Sequence, residues 1–141
     1  MANLYSQFTY DNAMLLAASA AHATAQTDVG ATILDLGAGL VCGHLVIDVT
    51  GIDVANGDEY YTISLEGSNV AAMTSGSVEL AVSRMGNNIA PNDADTGVGR
   101  FAIPFRNEQN GATYRYVRLS TLVAGTTPSI TFSAFIAKGM M

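Results

Sequence analysis

Hydrophobic and polar residues alternate with a period of two along the second half of the chain, which is typical of β-strands that bury one face. In the segment 44–52, Leu45, Ile47 and Val49 share one face and polar residues occupy the other. The segment 60–66 repeats the pattern. Both segments are therefore predicted strands.

The link between these two predicted strands contains turn residues. Asn56 and Gly57 tolerate the positive φ angles of a tight reversal. The sequence therefore predicts a hairpin that joins 44–52 to 60–66.

Four later stretches alternate in the same way and predict further strands. They are Val78, Leu80 and Val82; Phe101, Ile103 and Phe105; Val117 and Leu119 opposite Tyr114, Tyr116 and Arg118; and Ile130, Phe132, Ala134 and Ile136. Pro104 has no N–H to donate, so its strand is expected at a sheet edge or near a bulge. Segments rich in Gly, Asn and Asp separate the strands, and the longest is 86–99. This organisation predicts a single all-β domain, a jelly-roll sandwich of about eight strands.

The first forty residues give a mixed pattern. The alanine-rich stretch 13–25 has high helix propensity, whereas 32–36 is typical of a buried strand. We expect tertiary pairing to draw part of this region into the sheet. Residues 1–12 are assigned to an N-terminal arm and 13–141 to the jelly-roll domain.

The composition points to a protein that meets other proteins. Of the 141 residues, 49% are hydrophobic and 13% are charged, so the surface has few charges and part of its apolar area is expected to contact another protein. The net charge of −6, with scattered basic residues, argues against nucleic-acid binding. No apolar run approaches the roughly 20 residues of a membrane span. Cys42 is the only cysteine, which excludes an intrachain disulfide and fits a small buried hydrophobe.

The sequence offers little catalytic chemistry. The run 34–39, which contains Asp35, is similar to a glycine-rich nucleotide-binding loop. A predicted strand with β-branched residues follows it, however, and not the helix that such a loop requires. The acidic loops 53–59 and 92–95 lack the spacing of a calcium loop, and turn residues are the simpler interpretation. No metal, cofactor or catalytic residue is expected.

Aromatic and arginine residues mark candidate protein interfaces. Tyr and Arg are enriched in interface hot spots, and aromatic residues near chain ends suit docking segments. In 114–119 an ordinary strand whose tyrosines cap the core is an equal alternative, and a frayed end is the ordinary alternative at either terminus. The candidate interface residues are Tyr5, Phe8 and Tyr10 near the N-terminus, Tyr114, Arg115, Tyr116 and Arg118 in the middle, and Phe135 in an exposed C-terminal tail.

The order of several segments resembles the cement proteins of tailed-bacteriophage capsids, of the Bordetella phage type. These segments are 11–13, 28–36 with the run Ile-Leu-Asp-Leu-Gly at 33–37, 44–66, the run Arg-Tyr-Val-Arg-Leu at 115–119, and 129–137. The resemblance implies a non-enzymatic jelly roll that forms a homotrimer on the outer capsid surface of the virion. It would hold together capsomers of the major capsid protein.

Two other functions compete with this one. A carbohydrate-binding jelly roll of a virion would use exposed Tyr60, Tyr114 and Tyr116 to stack on sugars. A small enzyme would be built around Asp35 and the loop 37–43.

Overall fold

Strands dominate the computed structural model, which describes residues 10–86 and 95–139. They are β1 (Leu15–His22), β2 (Gln26–Val29), β3 (Leu34–Asp35), β4 (Cys42–Ile52), β5 (Tyr60–Ser68), β6 (Val78–Gly86), β7 (Gly99–Arg106), β8 (Glu108–Gln109), β9 (Ala112–Thr113), β10 (Tyr116–Ala124) and β11 (Ile130–Lys138). A 3-10 turn at Asn12–Met14 precedes β1, and the Asp11 carboxylate accepts a hydrogen bond from the Ala13 N–H at 3.0 Å. Within the described ranges, no helix is long and apolar enough to span a bilayer.

The strands form two main antiparallel sheets. Sheet A has the order β1-β11-β4-β7. Sheet B has the order β2-β10-β5-β6, and β3 also pairs with β10. The short strands β8 and β9 form a separate hairpin. The prediction of an all-β fold is confirmed.

The core lies between the two sheets, and both contribute their alternating hydrophobic residues to it. Leu45 and Ile47 of β4 and Phe132 of β11 come from sheet A, and Ile63 of β5 and Leu119 of β10 come from sheet B. All are at most 2% exposed. The period-two pattern in the sequence is therefore the inner face of a sandwich.

The predicted hairpin between 44–52 and 60–66 is wrong. β4 pairs with β11 and β7, whereas β5 pairs with β10 and β6 in the other sheet. The loop 53–59 carries the chain from one sheet to the other, and Asn56 and Gly57 make a local turn within it. Turn residues specify a reversal of the chain but not the sheet that the next strand joins.

The N-terminal region joins the sheets as expected, with one correction. The alanine-rich stretch forms β1 at the edge of sheet A, so tertiary pairing overrides its helix propensity. The predicted strand over 32–36 is reduced to β3, because only Tyr116 and Val117 pair with it. β2 pairs with four residues of β10 and is the longer edge strand.

The position of Pro104 agrees with its prediction. Pro104 lies in β7, which is an edge strand of sheet A and pairs, among the described strands, only with β4. A residue without an N–H is tolerated there because no described strand pairs with the other side of β7. Most of the predicted long loop, 87–94, lies outside the described residues, as does most of the predicted N-terminal arm.

Candidate interaction surfaces

A small apolar cluster lies on the face of sheet A that points away from the core. Val46 of β4 and Phe135 and Ala137 of β11 are at most 2% exposed, and Leu15 of β1 packs against them. Outer faces of sandwich strands usually carry polar residues that contact water. Here Val46, Phe135 and Ala137 are instead covered by other parts of the chain.

Tyr10 and Arg100 cover the ring of Phe135. The Tyr10 ring meets it edge to face, with centroids 5.3 Å apart and an interplanar angle of 85°. The guanidinium carbon of Arg100 lies 5.6 Å from the centroid of the Phe135 ring. We call Tyr10, Arg100, Asp48 and Phe135 the Tyr10 patch.

Asp48 fixes the guanidinium of Arg100 in this position. Arg100 donates from Nε to Oδ1 of Asp48 at 2.6 Å and from Nη2 to Oδ2 at 2.9 Å. The two residues face each other on neighbouring strands, and the hydrogen bonds to Asp48 raise the pKa of Arg100 further above its ordinary value. The planar, two-point contact holds the arginine rigidly.

The Tyr10 patch remains accessible. Tyr10 is 53% exposed, and the Arg100 side chain is 49% exposed. An aromatic ring and an arginine are thus presented side by side over a buried phenylalanine. This combination is characteristic of interface hot spots.

Two of the predicted interface residues, Tyr10 and Phe135, therefore lie together, but in different roles. The expectation of an exposed Phe135 in a C-terminal tail is wrong, because Phe135 is 2% exposed in a strand between β1 and β4. Its ring is the buried surface on which the Tyr10 ring packs. Tyr5 and Phe8 lie outside the described residues.

The other predicted residues lie in or next to β10, and their arginines are paired within the chain. Arg115 donates from Nε and Nη2 to the two carboxylate oxygens of Asp35 at 2.7 and 2.8 Å, and its guanidinium carbon lies 5.4 Å from the ring centroid of Tyr116. Hydrogen bonding to Arg115 lowers the pKa of Asp35 from 3.8 to about 2. Arg118 donates to Glu66 at 3.1 Å across the strand pair.

An open depression lies beside Arg115, at the end of the sandwich where β10 begins. Its volume is about 280 Å³, and it is lined by the turn 37–39, Asn69 and the segment 113–115. The Asn69 amide donates from Nδ2 to the Thr113 carbonyl at 2.8 Å, and its Oδ1 accepts from the Arg115 N–H at 3.0 Å. We call this site the Arg115 depression.

A buried asparagine holds the opposite wall of the Arg115 depression. Asn107 is 0% exposed, and its Oδ1 accepts from the Val41 N–H at 2.7 Å. Its Nδ2 donates to the carbonyls of Gly39 at 3.0 Å and Tyr114 at 2.8 Å. The turn 37–39 is thereby fixed to the start of β10.

Sequence reasoning missed Arg100 and Asn107. In the sequence, Arg100 is an ordinary charged residue near the end of a strand. Its position two residues before Ala102 indicates only that its side chain lies on the outer face of β7. Asn107 lies in a Gly- and Asn-rich separator, where asparagine normally indicates a turn. Arg100 pairs with Asp48, 52 positions away, and Asn107 bonds to Gly39, 68 positions away.

The acidic and glycine-rich candidates serve local structure. Glu59 is buried, and its carboxylate oxygens accept from the N–H groups of Asn56 and Gly57 at 2.9 and 3.0 Å. The run 34–39 is followed by β4 and not by a helix. Across 10–86 and 95–139, no three His, Cys, Asp or Glu side chains come together as metal ligands. Asn92 and Asp93 lie outside those ranges.

No protein-family model matches the chain, and no curated protein matches it.

Proposed function

We propose that this chain is a non-enzymatic decoration protein that forms a homotrimer on the outer surface of a tailed-phage capsid and binds the major capsid protein. The observation that carries the proposal is the Tyr10 patch, an exposed Tyr10 and Arg100 held over buried Phe135. We assign the patch to the contact between copies of the chain. The resemblance of the segments 11–13, 28–36, 44–66, 115–119 and 129–137 to phage cement proteins supplies the capsid as the partner.

The order of the strands supports a jelly roll as the framework of this protein. Eight strands form the two main sheets if the short β3 is set aside. Within these two sheets, β5 and β6 are the only neighbouring strands that are consecutive in the described sequence. Two four-stranded antiparallel sheets connected by crossings of this kind are the jelly-roll arrangement of many viral capsid proteins. Fold alone does not assign a function, so the proposal rests on the patch.

The charge of the Tyr10 patch favours contact with another protein surface. Arg100 is neutralised by Asp48, so burial of the pair in an interface would leave no unpaired charge. The pair is preorganised by its strands, which reduces the side-chain entropy lost on binding. The exposed face of Tyr10 would add rigid aromatic area.

Decoration would stabilise a capsid by mass action, because a ligand that binds only the assembled lattice shifts the equilibrium toward it. A trimer that touches several capsomers also gains avidity, since its later contacts are intramolecular. Low net affinity of each single contact is therefore compatible with stable attachment.

Light scattering across a range of concentrations tests the self-association. We expect a mass three times the 14.7 kDa of one chain, and a shift toward the monomer in Tyr10→Ala and Arg100→Ala. The matched control is Arg106→Ala, because Arg106 is an exposed arginine on the same strand that is paired with Glu108 at 2.7 Å. A wild-type monomer at every concentration, or a trimer unaffected by both variants, would refute the assignment.

Co-sedimentation with phage capsid shells that lack decoration tests the second half of the proposal. The wild-type trimer should pellet with the shells, and the Tyr10→Ala monomer should bind far more weakly because it loses avidity. A trimer that stays in the supernatant would contradict the capsid role while leaving the self-association intact.

A further inference from the structure

We propose that the Arg115 depression binds one ring of a neutral saccharide. The volume of the depression, about 280 Å³, lies just below the roughly 300–1,000 Å³ that is usual for ligand sites, and it suits a single ring better than a dinucleotide or a large cofactor. This binding site is separate from the Tyr10 patch and does not depend on self-association.

The walls of the depression are formed before any ligand arrives. Asn69 fixes the segment 113–115 through two hydrogen bonds, and Asn107 ties the turn 37–39 to Tyr114. Gly37 and Gly39 have φ angles of +82° and +101°, which gives the turn a shape that few other residues adopt. A preformed site loses little conformational entropy when it binds a ligand.

The charge of the depression favours a neutral ligand. Arg115 is the cation that lines it, and both carboxylate oxygens of Asp35 accept from its guanidinium. A phosphate or carboxylate would have to compete with this two-point ion pair. A ligand with hydroxyl groups would add hydrogen bonds to the outer edges of the pair and leave it intact.

Two of the residues that line the depression, Thr113 and Tyr114, carry side-chain hydroxyls. Neither Thr113 Oγ1 nor Tyr114 Oη makes a hydrogen bond to another residue in the described part of the chain. Each hydroxyl can both donate and accept, which matches the hydroxyls of a sugar. A tyrosine ring is apolar, as is the C–H face of a sugar ring, so we assign the contact with that face to Tyr114, which lines the depression.

NMR titration of the ¹⁵N-labelled full chain tests this site. The probes are glucose, galactose, mannose and N-acetylglucosamine, with sorbitol as an open-chain polyol that has no ring face. We expect at least one sugar to shift the amide signals of 37–39, 69 and 113–115 with a Kd on the order of 1 mM, and sorbitol to shift none. No shift with any sugar, or shifts confined to other residues, would overturn the proposal.

Variants separate specific contact from general solvent effects. Thr113→Val removes one hydroxyl and should raise the Kd about fivefold, and Tyr114→Ala should abolish saturable binding. Thr50→Val is the matched control, because Thr50 is an exposed strand threonine outside the depression. If the NMR spectrum of Tyr114→Ala loses its dispersion, the variant is unfolded and Thr113→Val alone tests the site. An unchanged Kd in Thr113→Val refutes the proposed site, and a raised Kd supports it.

Discussion

Asn107 and Tyr114 are joined by two hydrogen bonds that run in opposite directions. The Tyr114 N–H donates to the backbone carbonyl of Asn107 at 2.7 Å, and the Asn107 side chain donates to the Tyr114 carbonyl at 2.8 Å. Between them lies the hairpin of β8 and β9. Asn107 therefore closes the base of this hairpin and, through Gly39, holds the turn beside it.

Replacement of Asn107 by Ala should lower the free energy of unfolding by about 3 kcal/mol. The change leaves the Val41 N–H and the carbonyls of Gly39 and Tyr114 without their side-chain partner, at about 1 kcal/mol for each hydrogen bond. Urea unfolding measures the loss. Asn12→Ala is the control, because the exposed Asn12 side chain accepts a single hydrogen bond among the described residues, from the Tyr10 hydroxyl, and the effect of its loss should stay within about 0.5 kcal/mol. Equal losses in the two variants would contradict this account of Asn107.

Two glycines of β4 should respond very differently to alanine. A Cβ on Gly43 would lie only 2.4 Å from the carbonyl oxygen of Ala137 in β11, and backbone atoms cannot move away without distorting sheet A. A Cβ on Gly51 would have the Thr131 side chain as its nearest neighbour, at an ordinary 3.8 Å. We expect Gly43→Ala to lower the free energy of unfolding by about 3 kcal/mol and Gly51→Ala to change it by less than about 1 kcal/mol.

Chemical denaturation of both glycine variants checks the difference. Each substitution places the same methyl group in the same strand, so intrinsic propensity cancels in the comparison. A Gly43→Ala protein as stable as Gly51→Ala would show that β4 and β11 lie further apart than described.

The ion pair with Arg115 should make Asp35 titrate at unusually low pH. Its pKa is lowered from 3.8 to about 2, first by the Arg115 side chain and then by the Gly37 N–H. Because the folded pKa lies below the unfolded value, the stabilisation is present above about pH 4 and is lost as the pH falls through about 2. Carboxyl ¹³C NMR should give this midpoint directly.

Substitution of Arg115 identifies the cause of the Asp35 shift. In Arg115→Gln the midpoint should rise toward 3.8 without reaching it, because the Gly37 N–H still donates to Asp35 at 2.8 Å. Arg106→Gln removes an arginine elsewhere on the surface and should leave the Asp35 midpoint where it was. An Asp35 midpoint near 3.8 in the wild-type protein would refute the ion pair.

Removal of the Tyr61 hydroxyl should destabilise the opposite end of the sandwich. Tyr61 is 0% exposed; its hydroxyl donates to the Asp53 carbonyl at 2.7 Å and accepts from the Ser129 N–H at 3.0 Å. Burial raises the pKa of Tyr61, so the hydroxyl stays protonated as a donor at neutral pH. Tyr61→Phe should cost about 2 kcal/mol because it leaves two backbone groups unpaired.

Tyr60→Phe is the natural control for the hydroxyl of Tyr61. The adjacent Tyr60 is half-buried on the other face of β5, and its hydroxyl makes no hydrogen bond to any residue in 10–86 or 95–139. Thermal unfolding should show a clear drop in Tm for Tyr61→Phe and almost none for Tyr60→Phe. Similar shifts in both proteins would contradict the conclusion that the Tyr61 hydroxyl joins the loops 53–59 and 125–129.

The alternation of residues allowed the strands of the second half to be predicted, but not their neighbours. Leu45 and Ile63 both face the core as the pattern indicates, yet they lie in opposite sheets. Period-two alternation reports which face of a strand is buried, whereas the partner depends on how crossing loops pack. Pro104 was informative because a missing N–H restricts the position of a strand within a sheet.

The interaction surfaces were less accessible to prediction because distant segments build them. Phe135 lies off the buried face in the pattern of 130–136, which is typical of an exposed residue, but Tyr10 and Arg100 cover it. Asn107 has the sequence context of any turn asparagine. Such roles depend on three-dimensional neighbours and leave no periodic signal in the chain.

The pairing of β1 with β11 has a consequence for the order of folding. Leu15 pairs with Phe135 and His22 with Ile130, so β1 has no sheet partner until the ribosome has released nearly the whole described sequence. Until then the alanine-rich segment is free to sample the helix that its composition favours. Long-range pairings of this kind make β-sandwiches slow folders. The N-terminal segment that carries Tyr10 is therefore made early but reaches Phe135 late, and any assembly through that surface must wait for the complete sheet.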